Sequence, residues 1–186
     1  MSETMTKTQP ISKFNTRDIC YIALFTAVIA VMAQISIPMP LGVPMTLQSL
    51  AITRAAVVLG AKFSTLSTFI YLLLGAVGVP VLAGFSGGLD KFVGPTGGFL
   101  FSFPLMAFII GLGVEHRKAF KGAYVPALIA GTVVNYVVGV LMFCILTKSP
   151  VMTGISACVI PFIPTAIIKA IVASLLGFEI RKRLKI

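Results

Sequence analysis

Two cationic side chains stand inside otherwise apolar segments of this 186-residue chain, and they are the first residues that could carry chemistry. Lys169 ends the run PFIPTAIIK, about two turns into its segment from the proline-marked outer end. A charge in hydrocarbon is costly unless it is paired, hydrated or functional. We therefore interpret Lys169 as a fixed positive charge for a ligand carboxylate, with a lysine that snorkels to the interface as the alternative. Arg54 lies nearer the cytoplasmic end of its segment, where snorkelling is the favoured interpretation.

Neutral polar side chains provide a second set of candidates. Asn135 and Tyr136 lie in the middle of an apolar segment, where an amide needs a hydrogen-bond partner. That partner is either a neighbouring helix or a ligand, because an amide both donates and accepts hydrogen bonds while tyrosine offers a flat face and a hydroxyl. Thr46 and Gln48, at the end of a proline-rich stretch, are similar candidates for contact with a ligand.

A glycine-rich stretch at 84–100, GFSGGLDKFVGPTGGFL, is the third candidate. Glycine permits positive φ and allows another group to approach the backbone closely. The GPTG run leads directly into an apolar helical segment, whose first N–H groups and positive dipole end suit a polar or anionic group. The acid in this stretch either accepts hydrogen bonds from ligand N–H groups or pairs with the lysine beside it. The candidate residues here are Asp90, Lys91, Gly94, Pro95, Thr96 and Gly97.

Other kinds of chemistry lack the residues they need. His116 stands alone in a charged turn, and no His, Cys or carboxylate cluster has the spacing of a metal site. The sequence contains no Ser/His/Asp set for hydrolysis and no phosphate-binding loop of an ATPase. The net charge of +10 collects at segment ends and not on one face, which argues against nucleic-acid binding. We expect neither catalysis by this chain nor a cofactor or metal.

The elements that must position these residues are membrane helices. The chain is 58% hydrophobic and only 11% charged, with a mean hydropathy of +1.04, whereas a soluble domain is about one quarter charged. We predict an all-α integral membrane protein, with a polar cytoplasmic tail over 1–16 and a single membrane domain over 17–186. Its six transmembrane helices are expected at about 18–37, 46–60, 63–82, 96–114, 123–146 and 151–180.

The distribution of lysine and arginine predicts how these helices are oriented. Cytoplasmic loops of membrane proteins carry an excess of cations. If both termini are cytoplasmic, the outer side holds only Lys91 and Lys148. The cytoplasmic side then holds Lys7, Lys13, Arg17, Lys62, Arg117, Lys118, Lys121, Arg181, Lys182, Arg183 and Lys185. We therefore place both termini in the cytoplasm, so that the proline-rich and glycine-rich loops face outside, where an incoming solute meets them.

Several runs of the sequence together resemble the BioY family, the biotin-binding S components of energy-coupling factor transporters. The resemblance covers almost the whole chain from the first segment to the last, and the pairing of VPMTLQ with GPTGGFL is its most specific part. The runs that carry it are IPMPLGVPMTLQSL, YLLLGAVGVPVLAG, GPTGGFL, NYVVG and PFIP followed by the lysine.

The resemblance implies a function and a set of partners. It implies a six-helix subunit in the bacterial cell membrane that binds biotin from outside, in a pocket under the 38–48 and 84–98 loops. The partners that it implies are a membrane coupling subunit and two cytoplasmic ATPases, which power uptake. The small residues Ala23 and Ala27 match the face of the first helix with which the family docks the coupling subunit. From the residues alone, helix packing within the monomer is an equal alternative for this face.

One departure from the family pattern affects the expected site. Family members often have a Pro-Gly-Asp run shortly before the lysine, and Thr165-Ala166 stands in that place here. The missing acid removes one acceptor for the ureido group of biotin. Either Asp90 or Asn135 takes this role, or the affinity for the ligand is lower. An S component for another small vitamin and a stand-alone facilitator remain alternatives, while an intramembrane enzyme is the weakest hypothesis.

Overall fold

The computed structural model describes residues 15–37, 43–116 and 123–184. Seven helices follow in chain order: α1 (Thr16–Gln34), α2 (Gln48–Ala76), α3 (Asp90–Val93), α4 (Gly97–Glu115), α5 (Tyr124–Thr147), α6 (Val151–Cys158) and α7 (Ile163–Leu184). A 3-10 turn, Ile160–Phe162, joins the last two, and two short strands, β1 (Ser36–Ile37) and β2 (Met45–Thr46), precede α2. Most of the predicted N-terminal tail, the 38–42 part of the proline-rich loop and the 117–122 part of the charged turn lie outside the described residues.

The long helices are of the length and composition that a membrane requires. In the described part of the chain, α1, α2, α4, α5 and the stretch from α6 through α7 are each long and apolar enough to cross a bilayer. The prediction of an all-α membrane protein is confirmed. The orientation of these helices across the membrane stays a prediction.

A break at Gly60 divides α2 into two antiparallel halves, 48–59 and 61–76. Gly60 has φ 78° and ψ −173°, a backbone conformation that is essentially restricted to glycine. The side chains of Gln48 and Tyr71 share a hydrogen bond, whereas in one straight helix their 23-residue separation would span about 35 Å. The chain therefore reverses at Gly60, as the prediction of two helices joined by a turn at 60–62 required.

The turn at Gly60 is stabilised from α4. Glu115 at the end of α4 accepts a hydrogen bond from the amide of Ala61, with 2.7 Å between Oε1 and N. This satisfies one of the amides left without a partner where the second half of α2 begins. Gly111 allows the α4 backbone to lie directly against the turn, since a Cβ there would come within 2.7 Å of the Gly60 carbonyl carbon.

The core lies around α2, which packs against α1, α4 and α7, while α4 also packs against α5. The first half of α2 is buried on almost every side, and its small residues let the neighbouring helices approach. Between α1 and α2, Thr26 and Ser67 join their hydroxyls at 3.1 Å. A hydrogen bond of this kind holds two helices together where no water can serve as a partner.

The structure differs from the predicted segments at two places. The first helix ends at Gln34, and the residues after it form β1, which pairs antiparallel with β2 through Ser36 opposite Thr46 and Ile37 opposite Met45. Strand pairing satisfies backbone groups in an uncharged stretch where proline prevents a helix. The helix of the last segment, 151–180, was expected to start after a loop portion with Pro161 and Pro164. The structure has a further helix, α6, before these prolines, and α7 begins at Ile163, because the backbone leaves the helical conformation only at Val159, just before Pro161.

Candidate functional site

A cavity of about 260 Å³ lies between the loops before α2 and α4 and the helices α4, α5 and α7. Its size is close to the lower end of the range of small-molecule sites, roughly 300–1,000 Å³. Its apolar walls are formed by Val43, Pro44, Leu82, Ala83, Phe99, Leu100, Phe103, Met106, Leu128, Phe162 and Ala166. Polar side chains enter it from several elements: Thr46, Gln48, Ser49, Thr53, Ser86, Lys91, Thr96, Thr132, Asn135, Tyr136, Thr165 and Lys169.

Most of the predicted binding residues meet at this cavity. Those that line it are Thr46, Gln48, Lys91, Thr96, Asn135, Tyr136 and Lys169. Two lysines and no acidic side chain belong to the described lining, so the electrostatics of the cavity favour an anionic or carboxylate-bearing ligand.

Four predicted residues lie outside the cavity lining: Asp90, Gly94, Pro95 and Gly97. Asp90 is 69% exposed and pairs with Lys91, at 3.6 Å between carboxylate oxygen and ammonium nitrogen. Gly97 has a packing role, because a Cβ there would collide with the carbonyl oxygen of Phe92. The glycine-rich stretch therefore brings Lys91 and Thr96 to the cavity, while its backbone packs against the protein.

The first amides of α4 are also largely engaged. The Gly97 amide donates to the Gly94 carbonyl at 2.9 Å, and the Phe99 amide donates to the Thr96 carbonyl at 3.1 Å. The start of α4 thus offers fewer free N–H groups for an anion than the prediction assumed. The cations of the cavity are the stronger candidates for a carboxylate.

Lys169 extends from α7 across the cavity to the residues around the start of α2. Its ammonium donates a hydrogen bond to the carbonyl of Thr46, and Ser49 Oγ lies 3.5 Å away. The side chain is half-buried and lies within the cavity lining. An ammonium has three donors, so one remains for a ligand after these two contacts.

Gln48 is held by partners on both sides of its amide. It is only 4% exposed. Its oxygen accepts from the Thr46 hydroxyl at 3.0 Å, and its nitrogen donates to the hydroxyl of Tyr71. These bonds fix the wall of the cavity where β2 meets α2, and they leave Gln48 one donor and one acceptor site.

Asn135 lies on α5, on the opposite wall of the cavity, and is 5% exposed. Its amide nitrogen donates to Ser102 Oγ at 2.8 Å and to the Phe99 carbonyl at 3.3 Å, both on α4. Asn135 therefore links two helices and borders the cavity at once, so the two interpretations of its role are not exclusive.

A loop between α2 and α3 covers one side of the cavity and is attached to α1. Leu82 and Ser86 form an isolated antiparallel bridge, and both line the cavity. Gln34 holds this turn, because its amide nitrogen donates to the Val81 carbonyl at 3.0 Å and its oxygen accepts from the Phe85 amide at 2.7 Å. Phe85 has a positive φ of 55°, so its backbone conformation needs such support.

Sequence reasoning missed most of the apolar wall. Phe99, Phe103 and Met106 recur at helical spacing on α4, and Leu128 and Thr132 precede Asn135 at helical spacing on α5. Counting back from Asn135 by three and four residues would have found the α5 wall. The α4 wall carries no comparable signal, because apolar residues surround it on every face of the helix.

Two further places bear on the predictions. Thr165 and Ala166, which stand where the family pattern has its acid, line the cavity on α7 one turn before Lys169. Ala23 and Ala27 are exposed on α1, opposite the face that packs inward through Ile22 and Phe25.

Among the described residues, no group of three His, Cys, Asp or Glu side chains is arranged to hold a metal ion.

Comparisons with known proteins agree in their result. A family model described as the BioY family matches residues 5–186. A protein of Thermotoga maritima named biotin transporter BioY is 41% identical over 166 residues, which cover 89% of this chain and 96% of that protein. A Rhodobacter capsulatus protein of the same name is 36% identical over 173 residues, covering 87% of this chain and 91% of that one.

A solved structure has a similar fold. It is described as the crystal structure of the S-component for biotin from an ECF-type ABC transporter. It superposes with a TM-score of 0.83 and is 29% identical in sequence, covering 91% of this chain and 95% of that one.

Proposed function

The chain belongs to the BioY family, and on that premise we propose that it is the biotin-binding S component of an ATP-driven vitamin uptake transporter. It is a multi-pass membrane protein, with one membrane domain over 17–186 that follows a cytoplasmic tail over 1–16. It carries out no catalysis itself. A membrane coupling subunit and two cytoplasmic ATPases supply the energy for uptake.

The cavity is the observation that supports this proposal most strongly. Biotin combines a polar ureido ring, a thioether ring and an apolar chain that ends in a carboxylate. The cavity offers an aromatic and aliphatic wall for the rings and the chain, including Phe99, Phe103 and Met106. Convergent polar groups on a mostly apolar wall are what orients a small ligand. No acidic side chain of the described lining opposes the carboxylate.

We assign the carboxylate of biotin to Lys169. Its ammonium is already oriented by Thr46 and Ser49, so little rotamer entropy is lost when a ligand binds. Lys91 is the other cation at the cavity, but it is 45% exposed and neutralised in part by Asp90. A charge-assisted hydrogen bond is stronger where it is less solvated, which favours Lys169.

We assign the ureido group of biotin to the neutral polar side chains of the cavity wall opposite Lys169. Asn135 and Tyr136 enter the cavity from α5, and Thr96 enters it from the start of α4. Asp90 lies outside the cavity lining, so Asn135 is the better replacement for the acid that is missing at Ala166. We assign the ligand to the space beneath the 38–48 and 84–98 loops, of which residues 38–42 lie outside the described residues.

Docking to the coupling subunit is assigned to the exposed small residues of α1. Ala23 and Ala27 lie one helical turn apart and leave space for another helix to approach closely. The buried face of α1 is occupied by its contacts with α2, such as that of Thr26 with Ser67. The alanine face is therefore free for a partner in the membrane.

The test is to purify the detergent-solubilised protein, identify co-purifying small molecules by mass spectrometry and then titrate it with biotin. We expect bound biotin or stoichiometric high-affinity binding. The same titration of Lys169→Ala should show weaker biotin binding. Arg54→Ala is its matched control, because Arg54 is a cation of an apolar segment that does not line the cavity. If no biotin co-purifies and the titration shows no binding, the biotin assignment is wrong. An S component for another small vitamin is then the better hypothesis.

A further inference from the structure

Ser102 is a residue of α4 at its contact with α5. It lies outside the cavity lining and is 2% exposed. Its hydroxyl donates to the Phe99 carbonyl at 3.0 Å and accepts from the Asn135 amide nitrogen at 2.8 Å. The same Asn135 nitrogen also donates to the Phe99 carbonyl, at 3.3 Å. The three groups thus form a closed triangle of hydrogen bonds, in which both N–H bonds of the Asn135 amide are used.

This triangle favours one orientation of the Asn135 amide. If the amide were rotated by half a turn, its oxygen would face the Phe99 carbonyl oxygen, and two acceptors would meet without a proton between them. The amide would also lose both of its N–H bonds to α4, and the Ser102 hydroxyl could replace only one of them by donating to the rotated oxygen. The observed orientation satisfies all three groups at once.

The oxygen of the Asn135 amide consequently faces the cavity. Within the described residues, no fully buried side-chain nitrogen or oxygen lacks a hydrogen-bond partner. Among these residues the Asn135 oxygen has no hydrogen-bond partner, so it is accessible, and the space that Asn135 borders is the cavity. Asn135 therefore presents an acceptor and no free donor to a ligand, which is narrower than the dual role that the sequence suggested.

From this geometry we infer that Ser102 is a positioning residue for ligand selection: it turns Asn135 so that its oxygen reads an N–H group of the ligand. The inference rests on the proposed function and specifies it further. A ureido ring carries two N–H donors and one carbonyl acceptor, and an acceptor on the protein pairs only with the donors. A ring with oxygen in place of that N–H would set two acceptors against each other.

The test compares biotin with its two cyclic carbamate analogues, in which oxygen replaces one or the other ureido N–H. These replacements hardly change the size of the ring, so the ratio of dissociation constants reports the hydrogen bond. We expect the wild-type protein to prefer biotin over one of the two analogues by about tenfold or more, because a buried acceptor without a donor costs that much. Asn135→Ala should remove this preference.

Ser102→Ala should reduce the same preference by about threefold or more, since the amide then keeps only its 3.3 Å bond to the Phe99 carbonyl and rotates more easily. Ser64→Ala is the matched control, because Ser64 is a fully buried hydroxyl that bonds to α4 at the Ala107 carbonyl and does not line the cavity. It should leave the preference unchanged. Asn135→Asp combined with Ser102→Ala should restore the preference, because a protonated carboxyl donates its O–H to the Phe99 carbonyl and presents its other oxygen to the cavity.

The possible results distinguish the proposed function from the inference about Ser102. A wild-type protein that does not bind biotin contradicts the proposed function and the inference with it. A wild-type protein that binds biotin and both analogues equally well contradicts the inference alone. Ser102→Ala with an unchanged preference shows that Ser102 does not position Asn135. If Ser102→Ala does not fold, the Asn135→Ala and Asn135→Asp variants decide whether the oxygen reads the N–H group.

Discussion

The side chains of Gln48 and Tyr71 are joined by a hydrogen bond although 23 positions separate them along the chain, one in each half of α2. Gln48 lines the cavity, whereas Tyr71 is fully buried in the second half of α2. The contact exists only because the chain reverses at Gly60. The geometry of a turn at one end of the helices therefore determines the position of a cavity wall at the other end.

Replacement of Gly60 by alanine is expected to destabilise the protein. The conformation at Gly60 costs a residue with a side chain about 1–3 kcal/mol, and the new Cβ would also collide with the Glu115 carboxylate. Thermal unfolding in detergent should show a clear loss of stability. Gly78→Ala is the control, because Gly78 has a φ of 100° but open space around it, so it carries the backbone strain without the collision. Equal losses of stability in both variants would show that the collision with Glu115 adds nothing to the cost of the backbone conformation.

The sequence predicted the helices better than the contacts between them. Long apolar segments can be recognised from composition alone. The turn at 60–62 could be predicted because a glycine precedes a single lysine between two apolar runs. The contact of Lys169 with Thr46 joins residues 123 positions apart. No local pattern encodes such a pair, since it depends on how α7 packs against α2.

Polar candidates were found more easily than apolar ones for a physical reason. Asn135 and Lys169 are conspicuous because a polar group in an apolar segment needs an explanation. Phe99 and Phe103 line the same cavity, but an aromatic side chain in a membrane helix is as suited to lipid as to a ligand. The glycines of the GPTGG run were conspicuous too, but Gly98 serves close packing, since a Cβ there would lie 2.6 Å from the Val138 carbonyl oxygen.

Gln34→Ala is expected to weaken biotin binding from outside the cavity. The substitution removes the hydrogen bonds that hold the Val81 carbonyl and the Phe85 amide, and the turn that carries Leu82 and Ser86 loses its attachment to α1. We expect the dissociation rate of biotin to rise by about 3–10-fold, the scale of one or two neutral hydrogen bonds. Stopped-flow measurement of biotin release would record this change.

Hydrogen exchange supplies an independent check on the Gln34 prediction. The Phe85 amide donates to Gln34, so its exchange with solvent should accelerate in Gln34→Ala, while that of the Ala61 amide, which donates to Glu115, should not change. Unchanged exchange at Phe85 would mean that the bridge between Leu82 and Ser86 holds the turn by itself.

Ala27→Leu is expected to impair uptake without impairing binding. Ala27 is exposed on α1 and does not line the cavity, so a larger side chain should leave biotin affinity unchanged. At a helix–helix contact the same enlargement costs about 1–3 kcal/mol. Biotin uptake by cells that contain the coupling subunit and the ATPases should therefore fall several-fold. Val133→Leu, at an exposed position on α5, is the control, and an equal fall in both variants would argue against docking through α1.

Lys169→Ala is expected to weaken biotin binding by about 1.5–3 kcal/mol, the contribution of a hydrogen bond to a charged group. The decisive comparison is with biotin amide, whose neutral end lacks the carboxylate. If Lys169 pairs with the carboxylate, the substitution lowers the affinity for biotin much more than the affinity for the amide. Isothermal titration of both ligands with Lys169→Ala, Lys91→Ala and the control Arg54→Ala measures this difference. A loss for both ligands in Lys169→Ala, combined with a loss for biotin alone in Lys91→Ala, would move the carboxylate to the outer loop and place Lys169 beside the rings.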